Sequence, residues 1–195
     1  MRDTIKLGLI LMLICAVSAG SLSYVYGVTS KIIDERKAQE VARAMAVVLP
    51  SAQDFERLSA EELADVKADA RFAGIEEAYR GSTDGEVRGV VAKVLSSGYG
   101  GKIALLVGVN SDLAIEGLQV LSHSETPGLG GEITKPAFQS QFAGRGSSGP
   151  LAVNKDGGEI VAISSATISS RAVVAGVNTV RDLAAALGVG GGAGR

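Results

Sequence analysis

The sequence predicts an α+β domain built on an antiparallel sheet and preceded by one transmembrane helix with a stalk. Three observations predict it: an uncharged apolar stretch near the N-terminus, strand-like segments joined by short turns in the middle, and a segment of helical periodicity near the end. Successive strands joined by tight turns form antiparallel sheets, and helices before and after them are typical of the α+β class. The residues after the apolar stretch are enough for one domain.

The apolar stretch covers residues 7–28 and contains no charged residue. A membrane-crossing helix needs roughly 20 mostly apolar residues, and Tyr24 and Tyr26 stand near its end, where aromatic rings favour the headgroup layer. We therefore expect a terminal segment at 1–6 and a transmembrane helix at 7–28. A cleaved signal peptide is the alternative, with its cleavage site at Ala16–Ala19, but the apolar run continues past that point. Basic residues flank both ends, so charge does not decide the orientation.

A helical stalk is predicted at 29–50. Apolar residues recur there at helical spacing, and Leu49-Pro50 closes the pattern; they are Ile32, Ile33, Val41, Ala44, Met45 and Val48. The domain itself is predicted to cover 51–187. Its first element is a short helix, because Ser59 with Glu62 fits a capping box.

Two hairpins follow. The first joins strands 75–80 and 87–96 through the turn Asp84-Gly85, and the second joins strands 102–109 and 114–122 at 110–112. After a glycine-rich segment at 128–131, Thr134 is predicted to cap a short helix that places Phe138 and Phe142 on one face.

The last elements are a hairpin, a helix and a tail. The hairpin joins 151–154 and 159–164 through Asp156-Gly157. The helix begins near Ser169 and packs on the sheet through Val173, Val177, Val180, Ala184 and Leu187. Residues 188–195 are glycine-rich, which is typical of a flexible tail.

Composition excludes several classes of function. The net charge is −2, and the chain has no long basic stretch, which argues against a nucleic-acid partner. Cys15 and His123 are the only residues of their types, so an internal disulfide and a cysteine- or histidine-rich metal site are excluded. No nucleophile triad, zinc signature or Walker loop is present.

Two segments are candidates for chemistry, 122–130 and 164–170. The second precedes the last helix, where Ser169 or Ser170 can act as an N-cap. The same placement also forms an anion site, because free amides and the helix dipole point there. The first segment can be a plain loop, with glycines supplying turns and His123 packed at a strand end. The residues alone leave these alternatives open.

Together the motifs resemble the G subunit of the Rnf ion-translocating electron transport complex, and the resemblance covers most of the chain. It rests on the N-terminal span and on four ordered motifs: Val48-Leu49-Pro50, Gly98-Tyr99-Gly100-Gly101, His123 to Gly130, and Ser164 to Ser170. The last corresponds to the family pattern Ser-Gly-Ala-Thr-x-Ser-Ser. The related C subunit of the sodium-pumping NADH:quinone reductase shares these features but is usually longer.

The resemblance implies covalently bound FMN. In the family the threonine of the last motif carries the flavin through a phosphoester bond, and that position is Thr167 here. Ser169 and Ser170 are then expected to donate hydrogen bonds to phosphate oxygens, next to a helix N-terminus that stabilises the remaining charge. The full set of cofactor-binding residues that the resemblance implies, besides Thr167, is Ser164, Ser165, Ala166, Ser169, Ser170, Glu125, Thr126, Gly128, Leu129 and Gly130.

The resemblance also implies an electron relay in a complex that couples electron flow between ferredoxin and NAD to sodium or proton movement. The implied partners are the membrane, the membrane-embedded and iron–sulfur subunits of the complex, and the flavin transferase that loads the cofactor. Because that transferase works outside the cytoplasm, we expect a single-pass protein of a bacterial or archaeal cell membrane. Met1 would lie inside and Thr167 on the extracytoplasmic side.

This chain departs from the family pattern at two positions. Ser165 replaces a glycine, which is a costly change if the backbone φ there is positive. Val161 stands where the motif for the transferase usually has an aspartate. Two other functions therefore stay open: a free-standing, membrane-tethered flavin module for sensing or periplasmic reduction, and a structural subunit that has lost its flavin.

Overall fold

The computed structural model describes residues 2–189, without the side chains of 2–4, 6–7, 25, 28, 30 and 31–42. The chain divides into two units, Met1–Ala42 and Arg43–Arg195. Helix α1 (Arg2–Val48) begins the chain. It ends where the sequence predicts, directly before Leu49-Pro50, although the stalk residues Ile32, Ile33 and Val41 lie outside the described side chains.

The first unit is helical, and most of its described side chains are apolar. All the described side chains from Gly8 to Tyr24 are exposed. Among the side chains that the structure describes, no helix is both long and apolar enough to cross a membrane. The predicted span 7–28 includes Leu7, Val25 and Val28, which lie outside that set.

The second unit contains a five-stranded antiparallel sheet whose strands lie in chain order. They are β1 (Asp54–Arg57), β2 (Ile75–Thr83), β3 (Glu86–Ser97), β4 (Lys102–Asn110) and β5 (Ile115–Ser122). The predicted α+β class and the first two predicted hairpins are confirmed. At the first turn Asp84 and Gly85 have φ of 55° and 79°, as a two-residue type I′ turn requires. Strand β1 was not predicted, because its four residues show no apolar alternation.

One face of the sheet carries the main core. Helix α4 (Thr167–Ala186) packs on this face, and its predicted contact residues Val173, Val177, Val180 and Ala184 are buried. Beyond the helix, the amide of Val189 donates to Ala184 O and the Val189 side chain is buried. The predicted tail therefore begins later than Gly188, and its remainder, 190–195, lies outside the described residues.

The opposite face receives the end of α1. Ala44, Met45, Val48 and Leu49 are buried there. The strands present four glycines to this segment. A Cβ atom on any of them would lie within 3.0 Å of an atom of Val48 or Leu49. They are Gly81, Gly89, Gly108 and Gly117. The absence of side chains at these positions lets the helix end lie directly on the strand backbones.

The first short helix of the domain has the predicted capping box. Helix α2 (Ala60–Lys67) begins after Ser59, whose hydroxyl accepts from the Glu62 amide at 3.2 Å. The Ser59 amide donates to the Glu62 carboxylate at 2.9 Å. This bond from the backbone is the main reason that the pKa of Glu62 lies below its ordinary value.

The predicted cap at Thr134 is wrong. The next helix, α3 (Pro136–Gln139), begins after Lys135, and Pro136 supplies the preset φ of its first residue. The Thr134 hydroxyl donates instead to Gly131 O at 2.9 Å. Phe138 and Phe142 do pack together, with ring centroids 5.6 Å apart in an edge-to-face arrangement.

The predicted last hairpin is also wrong. Residues 143–166 are irregular, apart from a 3₁₀ turn at Asn154–Asp156 and one parallel bridge between Val153 and Ile160. Side chains of α4 satisfy much of this backbone. The Asn178 amide group pairs with both the N–H and the C=O of Leu151 at 2.8 Å, and Arg181 donates to Gly146 O at 2.6 Å.

Candidate functional site

A cleft of about 460 Å³ lies where three chain segments meet. The segments are the turn between β3 and β4, the loop after β5, and the beginning of α4. The cleft is lined by Tyr99, Glu125, Thr126, Leu129, Gly130, Ser165, Ala166, Thr167, Ile168 and Ser169. The structure thus brings together most of the predicted cofactor-binding residues, while Ser164, Gly128 and Ser170 of that set are not in the lining.

Helix α4 begins two residues earlier than predicted. Thr167 is its first residue, and Ala166 is the N-cap without a capping side chain. The Ser170 amide donates to Ala166 O at 3.0 Å, so the amides of residues 167–169 precede the first intrahelical bond. Such amides have no partner within their own helix. They make this end of α4 a place that favours an anion.

Neither predicted N-cap, Ser169 nor Ser170, acts as one. Both lie within the first turn and are buried. The Ser170 hydroxyl donates to Ala166 O and accepts from the Ile163 amide, each at 3.0 Å. The Ser169 hydroxyl donates to Glu125 at 2.6 Å. Both hydroxyl protons are therefore used inside the protein, and hydrogen bonds from them to phosphate oxygens stay a prediction.

Glu125 is a buried carboxylate, 5 % exposed. Its Oε1 accepts from the Gly100 amide at 2.9 Å, and its Oε2 accepts from the Ser169 hydroxyl. A Cβ atom on Gly98 or Gly130 would lie closer than 3.0 Å to this carboxylate. These two glycines therefore leave the space that the carboxylate occupies. His123 lies beside it, half-buried, and its Nδ1 accepts from the Glu125 amide at 3.1 Å.

The mouth of the cleft is apolar. Tyr99 is 75 % exposed, Ile168 51 % and Leu129 45 %. Of these three, sequence analysis assigned only Leu129 to the site. The sequence does contain a signal for Tyr99, which lies between two glycines in a tight turn. Its ring has no adjacent side chain to pack against and is therefore available for a ligand. Ile168 carried no signal, because the predicted helix began after it.

The two departures from the family pattern have different structural settings. Ser165 has φ of 63°, in the left-handed region that favours glycine. Serine at this glycine position is therefore strained. The Val161 side chain is 58 % exposed, while its backbone pairs with the Gln141 side chain through bonds of 2.7 and 3.3 Å. The backbone arrangement there does not depend on the side chain at 161.

These features lie within a match to the FMN-binding domain family, which covers residues 98–182. The match includes all the residues that line the cleft. The chain belongs to the family of G subunits of ion-translocating oxidoreductase complexes, the Rnf family, as the sequence motifs predicted.

Two relatives show this. The G subunit of the Na⁺-translocating ferredoxin:NAD⁺ oxidoreductase complex of Acetobacterium woodii is 37% identical, over 89% of this chain and 87% of its own length. The G subunit of the ion-translocating oxidoreductase complex of Methanosarcina acetivorans is 37% identical, over 95% of this chain and 96% of its own.

Two solved structures are similar in part. The C subunit of the Na⁺-translocating NADH-quinone reductase from Parabacteroides distasonis covers 66% of this chain and 75% of its own, at 24% identity and a TM-score of 0.47. NqrC of Shewanella oneidensis covers 56% of this chain and 61% of its own, at 25% identity and a TM-score of 0.45.

The residues of the cleft fit FMN. Its volume lies within the range of roughly 300–1,000 Å³ that is usual for small-molecule sites. The free amides at the start of α4 suit a phosphate group. The exposed side chains of Tyr99, Leu129 and Ile168 suit a flat apolar ring.

Proposed function

We propose that this chain is the electron-relay subunit of a membrane-bound, ion-translocating ferredoxin:NAD oxidoreductase complex and carries FMN through a phosphoester to Thr167. One observation carries the assignment of the attachment site. Thr167 is the first residue of α4 and lines the cleft within the matched FMN-binding domain. Its hydroxyl thus lies beside the amides that favour a phosphate.

The hydroxyl groups of Ser164, Ser169 and Ser170 are less suitable. Those of Ser169 and Ser170 are buried and already hydrogen-bonded. Ser164 does not line the cleft. The half-buried Thr167 hydroxyl makes no hydrogen bond within the described part of the chain, so it is free to become an ester oxygen. The helix N-terminus then stabilises the charge that the phosphate keeps.

The remaining residues of the cleft would bind and orient the cofactor. Tyr99, Leu129 and Ile168 offer apolar surface to the ring, and the loop 125–130 forms the wall opposite α4. The flavin supplies one- and two-electron redox chemistry, and the protein fixes its position and tunes its potential. A covalent tether keeps the cofactor in place during turnover, which suits a relay within a larger complex.

We further propose that residues 7–28 cross the membrane once, with 1–6 in the cytoplasm and the flavin-bearing domain outside. An uncharged apolar stretch of this length supports the span, and the exposed apolar side chains of α1 suit lipid or partner helices. The relatives are subunits of a multi-subunit complex, so the other subunits are the expected partners, and the flavin transferase is needed for loading. A reporter fused after Arg195 should be active outside the cytoplasm; cytoplasmic activity would contradict this topology.

Substitution of the acceptor tests the flavin site. The full-length chain is produced together with the flavin transferase and separated on a denaturing gel. We expect a fluorescent band and an FMN increment in the intact mass for the wild type and for the control Thr179→Val, on the same helix but outside the cleft. Thr167→Val should lose both signals, since valine keeps the shape of threonine but has no hydroxyl. A Thr167→Val band that still fluoresces would show that another residue is the acceptor.

A flavin-free structural role is the second candidate, because Ser165 is strained and Val161 replaces the usual aspartate. A wild-type intact mass without an FMN increment, measured in the presence of the transferase, would favour it. A free-standing flavin module is distinguished by co-purification, since a relay within a complex should co-purify with several membrane proteins.

A further inference from the structure

A single carboxylate connects the three segments that form the cleft. Glu125 belongs to the loop after β5, yet it accepts hydrogen bonds from the Gly100 amide in the β3–β4 turn and from the Ser169 hydroxyl in α4. Tyr99 precedes Gly100, and Ser169 is two residues after Thr167. The bridge therefore links the aromatic side chain at one side of the mouth to the proposed attachment site at the other.

The chemistry of this bridge is that of a strong connection. Hydrogen bonds to a carboxylate are shorter and stronger than those between neutral groups, and the contact to Ser169 measures 2.6 Å. No lysine, arginine or histidine forms an ion pair with Glu125 within the described residues. A carboxylate buried without a cation relies on its hydrogen bonds to offset the loss of water. Both bonds are thus needed to keep Glu125 in place.

The surrounding backbone is shaped for the same group. A side chain on Gly98 would collide with Oε1, and one on Gly130 would collide with Oε2 and the Ser169 hydroxyl. Two glycines, one in the β3–β4 turn and one in the loop after β5, thus let the backbone approach the Glu125 carboxylate closely.

We propose that Glu125 is a positioning residue that holds the β3–β4 turn and the first turn of α4 at a fixed separation and so orders the flavin ring between them. The proposal rests on the proposed function, since it concerns a flavin on Thr167. It assigns Glu125 no contact with the reacting atoms. Its effect passes through Gly100 to Tyr99 and through Ser169 to the first turn of α4.

The test compares variants of the bridge in the flavin-loaded, full-length protein in detergent. Glu125→Ala and Ser169→Ala each break the link to α4, and Ser169→Ala removes only one hydroxyl. Glu125→Gln is the conservative variant, because its amide oxygen accepts from Gly100 and its NH₂ group donates to the Ser169 oxygen. Ser124→Ala, at an exposed neighbouring position, is the control.

The readout is the fluorescence anisotropy decay of the attached flavin, which reports motion of the ring relative to the protein. We expect a several-fold larger fast-decaying component in Glu125→Ala and Ser169→Ala, and wild-type decay in Glu125→Gln and Ser124→Ala. The double variant Glu125→Ala/Ser169→Ala should show the same decay as either single variant, since each substitution breaks the same connection. Additive effects, or unchanged decay in Ser169→Ala, would overturn the proposal.

A purely structural role of Glu125 is separated by a second measurement. Urea unfolding of the same variants in the flavin-free Thr167→Val background reports stability alone. A loss of stability there with unchanged ring motion in the loaded proteins would contradict the positioning role. Failure of the proposed function is distinct, because the wild type would then show no FMN increment in its intact mass.

Discussion

The carbonyl oxygen of Val48 lies less than 3.0 Å from the point where a Cβ atom on Gly108 would stand. The backbone at the end of α1 therefore rests directly on β4. The next strand repeats the arrangement, since a Cβ atom on Gly117 would lie 2.6 Å from the Cα atom of Val48. Because backbone atoms on both sides form this contact, it cannot be relieved by a change of rotamer.

We expect Gly108→Ala to lower the free energy of unfolding by about 1–3 kcal/mol, the usual cost of overpacking a well-packed interior. Urea unfolding of the full-length protein in detergent measures it. Gly131→Ala is the matched control, because its Cβ atom would meet no atom nearer than 3.4 Å. Equal effects of the two substitutions would show that the space at Gly108 is not limiting.

Ser165 offers the opposite case, a substitution that should stabilise the protein. Its φ of 63° costs a non-glycine residue about 1–2 kcal/mol, whereas the greater freedom of glycine in the unfolded chain costs about 0.5–1 kcal/mol. We expect Ser165→Gly to raise the free energy of unfolding by up to about 1.5 kcal/mol, the largest difference between these two costs, measured by urea unfolding.

Its control is Ser164→Gly, because Ser164 does not have a positive φ. That variant should lower the free energy of unfolding, because glycine gives the unfolded chain more conformational freedom and no strained φ is relieved in the folded state. A destabilising Ser165→Gly would mean that the left-handed conformation is not strained.

The elements that sequence reasoning predicted are those fixed by local chemistry. Asp84-Gly85 sets a hairpin through its own φ preferences, and Ser59 with Glu62 starts a helix through bonds within one turn. The apolar positions of α4 follow from helical periodicity alone. Each of these signals lies within a few residues of the element that it specifies.

The elements that sequence reasoning missed depend on distant residues. The segment 143–166 contains turn residues that suggested a hairpin, yet its backbone is paired with Asn178 and Arg181 of α4. Serine is a common N-cap residue, but the Ser169 hydroxyl donates its hydrogen bond to Glu125, 44 positions away in sequence. Such pairings are set by tertiary packing and leave no local pattern.

The same distinction applies to the candidate site. Thr167 and the loop 125–130 are predicted from motifs alone. The apolar mouth formed by Tyr99 and Ile168 became visible only when the three segments were placed together. Whether serine is strained at position 165 likewise depends on its backbone φ, which the sequence does not give.

Val161 allows a test of how the chain is recognised for flavin loading. Its side chain is exposed and its backbone pair with Gln141 does not involve that side chain, so we expect Val161→Asp to change the free energy of unfolding by less than about 0.5 kcal/mol. Val161→Asp should raise the flavin-loaded fraction when the transferase is limiting, because the family resemblance implies an aspartate at this position. Intact mass measures that fraction. Val161→Asn is the uncharged control, and equal loading of the two variants would contradict a role for the carboxylate.

Asp156 and Arg171 should make the stability of the segment 143–166 dependent on pH. Arg171 donates two hydrogen bonds to the Asp156 carboxylate, at 2.6 and 2.8 Å, and these bonds lower the pKa of Asp156. A carboxyl group with a lowered pKa in the folded state stabilises that state above its unfolded pKa of about 3.9, and the contribution is lost as pH falls through the folded value.

We therefore expect the difference in unfolding free energy between the wild type and Asp156→Asn to be constant from pH 7 to about pH 5 and to shrink steadily below about pH 4. Urea unfolding at a series of pH values measures it, with Asp65→Asn as the control at an aspartate outside the ion pairs of the described residues. A difference that persists unchanged at pH 2 would show that the carboxylate charge is not what Arg171 stabilises.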